Sequence, residues 1–171
     1  QPTKEKSRKI EALQARYKGL TVITRAVDVS DKKQVDKILT QKTKGIFHLA
    51  AVLDDQLLVK QNSQSFAKVF SAKVDGAWNL HNSCLQNNIA LDYFVCYSSI
   101  AAALGSAGQV NYASANSVLD GLCCYRQQHG LPGLSIRWGP WADVGMAKNL
   151  VDAMDSIGIK GVKEQDVFAL F

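Results

Sequence analysis

The stretch LDYFVCYSS at residues 91–99 leads through a run of small residues to NYASANSVLDGLCCYRQQH at 111–129, and then to LSIRW at Leu134–Trp138. The first and last segments are short, apolar and rich in β-branched and aromatic residues, as buried strands are. The middle one carries a helical repeat and is stopped by Gly130 and Pro132. Strand, helix and strand in that order predict a βαβ unit with a parallel pair. The same alternation continues upstream. GIFHLA at 45–50 reads as a buried strand and 63–86 as a long helix, with Phe66, Phe70, Lys73, Ala77 and Leu80 on one face. Ahead of these, Ser30 is placed to cap a short helix bearing Val35, Ile38 and Leu39, and the β-branched run 20–27 predicts another strand. Ile10, Leu13 and Tyr17 mark a helix over 5–17 that Gly19 ends, and a weakly patterned tail from Met146 onward reads as helical.

Mostly apolar strands alternating with helices predict a doubly wound α/β fold, a parallel sheet with helices on both faces. Ligands in such folds bind beyond the carboxyl ends of the strands. Those positions hold Asp28, the pair Asp54 and Asp55, the pair Ser98 and Ser99, and Gly139-Pro140-Trp141. No internal repeat or interdomain linker interrupts the chain, so residues 1–171 read as one domain.

Composition narrows the function classes. Nearly half of the chain, 47%, is apolar, which excludes disorder. The net charge of +5 gathers at Lys4, Lys6, Arg8, Lys9, Arg16 and Lys18 among Glu5 and Glu11, the pattern of a solvated helix face; without interleaved aromatics it does not predict a nucleic-acid partner. Cys84, Cys96, Cys123 and Cys124 lie in apolar stretches without Cys-x-x-Cys or metal-ligand spacing and read as reduced core residues, with no metal site. No apolar run is long enough to span a bilayer, and the polar N-terminus is unlike a signal peptide, so the expected location is cytoplasmic with no membrane partner.

Lys73 stands where its helix face calls for an apolar side chain. It is either a stem laid along the surface with its ammonium in water, or a functional cation. Tyr112 and Asn116 share a face, with Tyr112 in the first turn where the helix dipole favours an anion; a core phenol with a locally bonded asparagine fits the same spacing. Ser98 and Ser99 end a strand before the small-residue loop 100–105, where a hydroxyl can polarise a carbonyl or simply cap a turn, and no Gly-x-Ser-x-Gly elbow marks a hydrolase nucleophile. His48 reads as a satisfied core histidine.

Taken together, Ala72-Lys73-Val74-Asp75-Gly76-Ala77-Trp78-Asn79-Leu80-His81, Tyr97-Ser98-Ser99, Gly108-Gln109-Val110-Asn111-Tyr112-Ala113-Ser114-Ala115-Asn116 and Trp138-Gly139-Pro140-Trp141 resemble the ketoreductase domains of type I modular polyketide synthases, within the short-chain dehydrogenase/reductase superfamily. The resemblance covers nearly the whole chain. Tyr-x-x-x-Asn with the lysine on the preceding helix is its most specific mark. It implies a Rossmann-like fold and NADPH-dependent reduction of a β-ketoacyl thioester held on the phosphopantetheine arm of an acyl carrier protein, with other synthase domains in cis. By position, it implies that Tyr112 gives the proton, that Ser99, thirteen residues earlier, holds the keto oxygen, that Lys73 lowers the tyrosine pKa and bonds the nicotinamide ribose, and that Asn116 orders a water. Asp28-Val29 and His48-Leu49-Ala50-Ala51 resemble the segments that meet adenine and its ribose, with Ala51 where relatives more often have glycine; Lys73, Tyr112, Pro140 and Trp141 complete the implied cofactor contacts. Leu53-Asp54-Asp55 resembles the mark of B-type ketoreductases and implies a D-configured hydroxyl. The tryptophan of the opposite class is absent, with Leu104 in its region; two solvated loop aspartates explain Asp54 and Asp55 equally well on pattern alone.

No Gly-x-Gly-x-x-Gly loop occurs, and Gln1-Pro2-Thr3 resembles the residues after the second strand of the family's fold. The resemblance therefore implies a partial domain without the N-terminal β-α-β and its glycine-rich loop, and 31–45 is short for the family. On the usual strand order 3-2-1-4-5-6, the strand at Leu20 is then separated from that at Gly45, leaving edges to be covered by other chain or by self-association. Three readings stay open: a polyketide ketoreductase, a fatty acid synthase ketoreductase or other short-chain dehydrogenase, and a non-catalytic fragment that keeps the side chains without holding cofactor.

Overall fold

The computed structural model describes residues 3–142, 155, 156, 158–163, 165 and 167. Helix α1 spans Lys4–Arg16 and α2 Lys32–Ile38; strand β1 is Gly45–His48. After a single 3-10 turn at Leu58–Lys60, α3 runs Ser63–Phe70, passes through a π-turn at Ser71–Asp75 and continues as α4, Gly76–Gln86. Strand β2 is Tyr93–Ser99, α5 Ala101–Leu104, α6 Val110–Gln128 and β3 Leu134–Trp138.

The strands form one parallel sheet in the order β1-β2-β3, with Phe47 opposite Val95 and Val95 opposite Leu134. Alternation sends Ile46, His48, Phe94, Cys96 and Ser98 to one face, where they are buried. Against them pack Ala77, Leu80 and Cys84 from α4, Leu119, Leu122 and Cys123 from α6, and Val35 from α2. Each fully buried Leu or Phe here contributes up to about 1.5–3 kcal/mol of burial free energy. On the opposite face Val95 is buried, while Phe47, Tyr93 and Leu134 are 60%, 62% and 49% exposed; the α/β architecture with a parallel sheet is the Rossmann-like one expected.

Residues 20–27 form no strand. No backbone bond ties 21–27 to the sheet, and Ile23 is exposed; β-branched composition favours extended chain, but a strand needs a neighbour to take its N–H and C=O groups. The cap of α2 is Asp31, whose carboxylate accepts the Lys33 N–H at 2.9 Å, while Ser30 is taken up by Asp28. The small-residue segment after β2 is helical as α5 rather than a loop. Cys84, Cys96 and Cys123 are buried free thiols, but Cys124 is exposed, one position round α6 from Cys123. The helical tail expected from Met146 onward lies largely outside the described residues; Val162 pairs in parallel with Trp141, its N–H donating to Pro140 O at 2.7 Å.

The π-turn has a further effect on side-chain register. Buried positions before it are Ser65 and Val69, with Phe66 and Phe70 only half-buried, whereas after it they are Ala77, Leu80 and Cys84. A single helical face drawn through Phe66 and Phe70 misses by one position, because the π-turn inserts one residue.

Candidate active site

The site is assembled where β2 ends and α6 begins, with the π-turn between α3 and α4 behind it. Gly76 N–H bonds both Ser71 O and Lys73 O, which is the widened turn. The Lys73 carbonyl also accepts from Nε2 of His48 at 2.9 Å, fixing His48 as the Nε2–H tautomer. Burial holds the His48 pKa below its ordinary value, so the ring is neutral. His48 is thus turned into the helix layer, and its ring is committed to Lys73 rather than offered to a ligand at the mouth of the sheet.

Lys73 is 3% exposed, and its ammonium donates to Tyr97 O at 3.0 Å while lying 5.2 Å from the centroid of the Tyr112 ring. Burial brings its pKa down from 10.5 to about 8. Of the two readings open for this lysine, the structure selects the buried one, since no part of the ammonium reaches out along the surface.

Tyr112 is half-buried in the first turn of α6. Its phenol pKa is raised, chiefly by burial; the side chains of Asn116 and Ser99 pull it down less strongly, and the Asp55 carboxylate adds to the rise. Burial thus outweighs the hydrogen-bonding partners at this hydroxyl. The ammonium sits over the ring rather than beside the hydroxyl, and its hydrogen bond goes to the Tyr97 carbonyl. The phenol is therefore protonated at neutral pH.

The two serines part company at the strand end. Ser98 is buried and its hydroxyl donates to Asn116 O at 3.3 Å, while Ser99 Oγ accepts from Ala101 N–H at 3.2 Å and lies beside the phenol. Asn116 is fully buried; its amide donates to Tyr112 O at 2.8 Å, and its Oδ1 is buried without a hydrogen-bond partner. An orphaned acceptor of this kind next to a half-buried phenol is a place for a water or a ligand hydroxyl.

Asp54 and Asp55 stand against the start of α6. Gln109 donates to Asp55 at 2.9 Å, Lys68 pairs with Asp54 at 3.2 Å, and Gln56 N–H donates to Gly108 O at 2.8 Å. Each carboxylate is held by a neighbouring side chain, although Asp55 is exposed. Leu53 is half-buried beside them, and Ala50 and Ala51 are half-buried on the segment leaving β1. Asp28 lies at the other end, its carboxylate accepting from Ser30 N–H at 2.9 Å and from its hydroxyl at 2.7 Å. Val29 O accepts the Asn79 amide at 3.0 Å, which ties this turn to α4. Pro140 is buried, and the Trp141 ring packs tilted against Trp138, centroids 5.0 Å apart, with Trp138 in turn 5.7 Å from Tyr97. The structure thus brings Lys73, Ser99, Tyr112, Asn116 and the Asp54–Asp55 loop together, and ties the Asp28–Val29 turn to α4 through Asn79. Sequence reasoning missed the His48–Lys73 link, the π-turn and Asn79; none has a local pattern that marks it.

A family model for KR domains matches residues 1–143. Over 139 residues, 77% of this chain, the sequence is 43% identical to the phenolphthiocerol synthesis polyketide synthase type I Pks15/1 of Mycobacterium marinum, of which the match covers 6%. It is 38% identical over 162 residues, 89% of the chain, to 3% of polyketide synthase GfsB of Streptomyces halstedii. The fold superposes on an N-terminal ketoreductase from the macrolactin assembly line with a TM-score of 0.84 at 31% identity, covering 100% of this chain and 34% of that one. The chain therefore spans a small part of these curated relatives. The match over most of its length, to the domain and to synthases that carry it, shows that the chain belongs to the ketoreductase (KR) domain family of polyketide synthases.

Proposed function

We propose that this chain carries the catalytic residues for NADPH-dependent reduction of a β-ketoacyl thioester, presented on the phosphopantetheine arm of an acyl carrier protein, to the β-hydroxyacyl thioester. The observation that supports it is the convergence of a protonated phenol, a serine hydroxyl beside it and a buried ammonium around one small volume at the carboxyl end of β2. The activity is that of the polypeptide carrying this chain, working with other synthase domains in cis.

The polar inventory fits the nicotinamide end of such a coenzyme. Lys73 has three donors and meets one carbonyl, Tyr97 O, while Asn116 Oδ1 is a buried acceptor without a partner. Ribose hydroxyls and an ordered water supply what both lack. Lys73 and Tyr112 would hold that ribose, Pro140 and Trp141 would flank the nicotinamide, and Asp28, Val29 and the backbone from His48 to Ala51 would meet the adenosine. Bound there, the coenzyme supplies the hydride.

The residues of the chain do the rest. The Ser99 hydroxyl donates to the keto oxygen and, with Tyr112, polarises it. Tyr112 gives its proton to that oxygen as negative charge develops, and the nearby ammonium of Lys73 stabilises the phenolate left behind. Asn116 holds the water through which the proton is restored. Leu53, Asp54 and Asp55 border the acyl entrance, and we assign them the B-type sense, giving a D-configured β-hydroxyl.

The test is oxidation of NADPH, against NADH, with a β-ketoacyl thioester on carrier protein and on a free thiol carrier, in the polypeptide containing this chain. Tyr112→Phe is expected to lower kcat by about 10²–10⁴ while coenzyme affinity stays within a few-fold. Turnover by Tyr112→Phe at the wild-type rate sinks the assignment, and so does a folded wild type that binds coenzyme without reducing the ketone.

A further inference from the structure

Asn79 lies on α4, one turn beyond Gly76, and is half-buried. Its amide nitrogen donates to two successive carbonyls distant in sequence, Val29 O at 3.0 Å and Ser30 O at 2.8 Å. A carboxamide has two N–H hydrogens, and both go to this turn. From the other side, the Asp28 N–H donates to Oε1 of Gln34 on α2 at 3.0 Å, and the Gln34 amide donates in turn to Asp31 at 3.0 Å. Two side-chain amides from two helices thus grip the same turn, while the Asp28 carboxylate accepts from the Ser30 N–H and hydroxyl within it.

The helix that carries Asn79 begins directly after the π-turn that carries Lys73. Gly76 adds close packing to the clamp, since a Cβ there would stand 2.7 Å from Val29 Cγ2. One rigid element therefore sets the distance between the Lys73 ammonium and the Asp28–Val29 turn, the two places that would meet opposite ends of the coenzyme. Aspartate at position 79 keeps the shape of the side chain but offers no donor to either carbonyl. Resting on the reductase reading above, we propose that Asn79 is a positioning residue that, with Gln34, locks the Asp28–Val29 turn to the helix layer for the adenosine end of the coenzyme, leaving the chemical step at Tyr112 independent of it.

The experiment uses the complete polypeptide that carries this chain, with the Asn79→Ala, Asn79→Asp and Gln34→Met variants. Calorimetry reads binding of adenosine 2′,5′-bisphosphate, which has the adenosine end without the nicotinamide; KM for NADPH and kcat at saturating NADPH are read separately. In Asn79→Ala the bisphosphate dissociation constant and KM for NADPH are each expected to rise about tenfold, the scale of one or two lost hydrogen bonds, with kcat within about twofold. Asn79→Asp is expected to lose at least as much affinity, and Gln34→Met, which frees the same turn from its other anchor, about threefold. A purely structural asparagine lowers the amount of folded protein and leaves both constants of the folded fraction unchanged. A folded Asn79 variant that binds the bisphosphate as the wild type does overturns the proposal, and so does one whose kcat falls as far as its affinity. Where neither Asn79 variant folds, unchanged bisphosphate binding in Gln34→Met overturns it, and weakened binding supports it. A wild type that reduces no β-ketoacyl thioester defeats the reductase reading, and the proposal with it; a wild type that reduces while all three variants keep its affinity for the bisphosphate defeats the proposal alone.

Discussion

Taking the Lys73 ammonium out of water disfavours its charge, and the drop from 10.5 to about 8 corresponds to roughly 3 kcal/mol between the two protonation states. Below about pH 8 the folded and unfolded chains both hold the proton, and the full penalty is present. Between about 8 and 10.5 the folded chain has released a proton that the unfolded chain keeps, so stability rises with pH across that window. Lys73→Met is therefore expected to be more stable than the wild type near pH 7, by up to about 3 kcal/mol, with the advantage shrinking as pH passes 8; urea denaturation at several pH values reads it. The same variant should lose about a hundredfold or more in kcat/KM. For the wild type, kcat/KM for reduction should fall as pH rises past about 8, because Lys73 loses its charge while Tyr112, with its pKa raised, keeps its proton. A profile flat to pH 10 refutes this account of Lys73. Motif and spacing mark Lys73, Tyr112 and Asn116 as candidates, but the directions in which Lys73 and Tyr112 are shifted were not legible, because they depend on burial and, for Tyr112, on Asp55, which comes from another part of the chain.

The element that sets the site is the π-turn at Ser71–Asp75, and its stability depends on Gly76. A Cβ on Gly76 would stand 2.7 Å from Val29 Cγ2 and 3.0 Å from His48 Cε1. Neither neighbour yields easily: the Val29 carbonyl is held by Asn79, and His48 is held by Lys73 O. Gly76→Ala gains up to about 1 kcal/mol in helix propensity and loses about 1–3 kcal/mol to overpacking, so a net loss of stability is expected. Because the displaced ring is the one that holds the Lys73 carbonyl, activity should fall further than stability; denaturant midpoints and kcat measured on the folded fraction separate the two. The helix from 63 to 86 was legible as an element, since its apolar repeat is long, but the one-residue insertion was not. The phase of a repeat averages over a π-turn, and what stabilises the turn is His48, twenty-five residues away. The run 20–27 shows the opposite failure, a strand composition with no strand alongside to pair with.

Across the whole molecule, Arg126 ties the layers together from inside the core. Its guanidinium lies 4.0 Å from the Phe94 ring centroid on β2, donates through Nη1 to His81 Nδ1 on α4 at 2.7 Å and through Nε to Pro132 O before β3 at 2.7 Å. No carboxylate pairs with it among the described contacts, and burial lowers its pKa. Planarity and a weakly hydrated charge make this tolerable, which an ammonium cannot match. Arg126→Lys should therefore cost about 2 kcal/mol or more and exceed the cost of Arg126→Met; equal stability of the two variants in chemical denaturation would show that charge, not stacking and fork geometry, holds the position. Sequence reasoning had placed Arg126 on a helix without distinguishing it from the exposed cations around it.

Periodicity, turn residues and the Tyr-x-x-x-Asn and Leu-Asp-Asp stretches determined the order of elements, the parallel sheet and which side chains stand at its carboxyl ends, because these depend on neighbours within a turn or a strand. Tertiary structure alone decided the rest. It turned His48 inward to hold Lys73, parted Ser99 from Ser98, and brought the Asp54–Asp55 loop to Asn111 and the phenol. It also left 20–27 without a strand partner. Each of these outcomes depends on burial or on a hydrogen bond between residues distant in sequence, and such contacts exist only once the chain has packed.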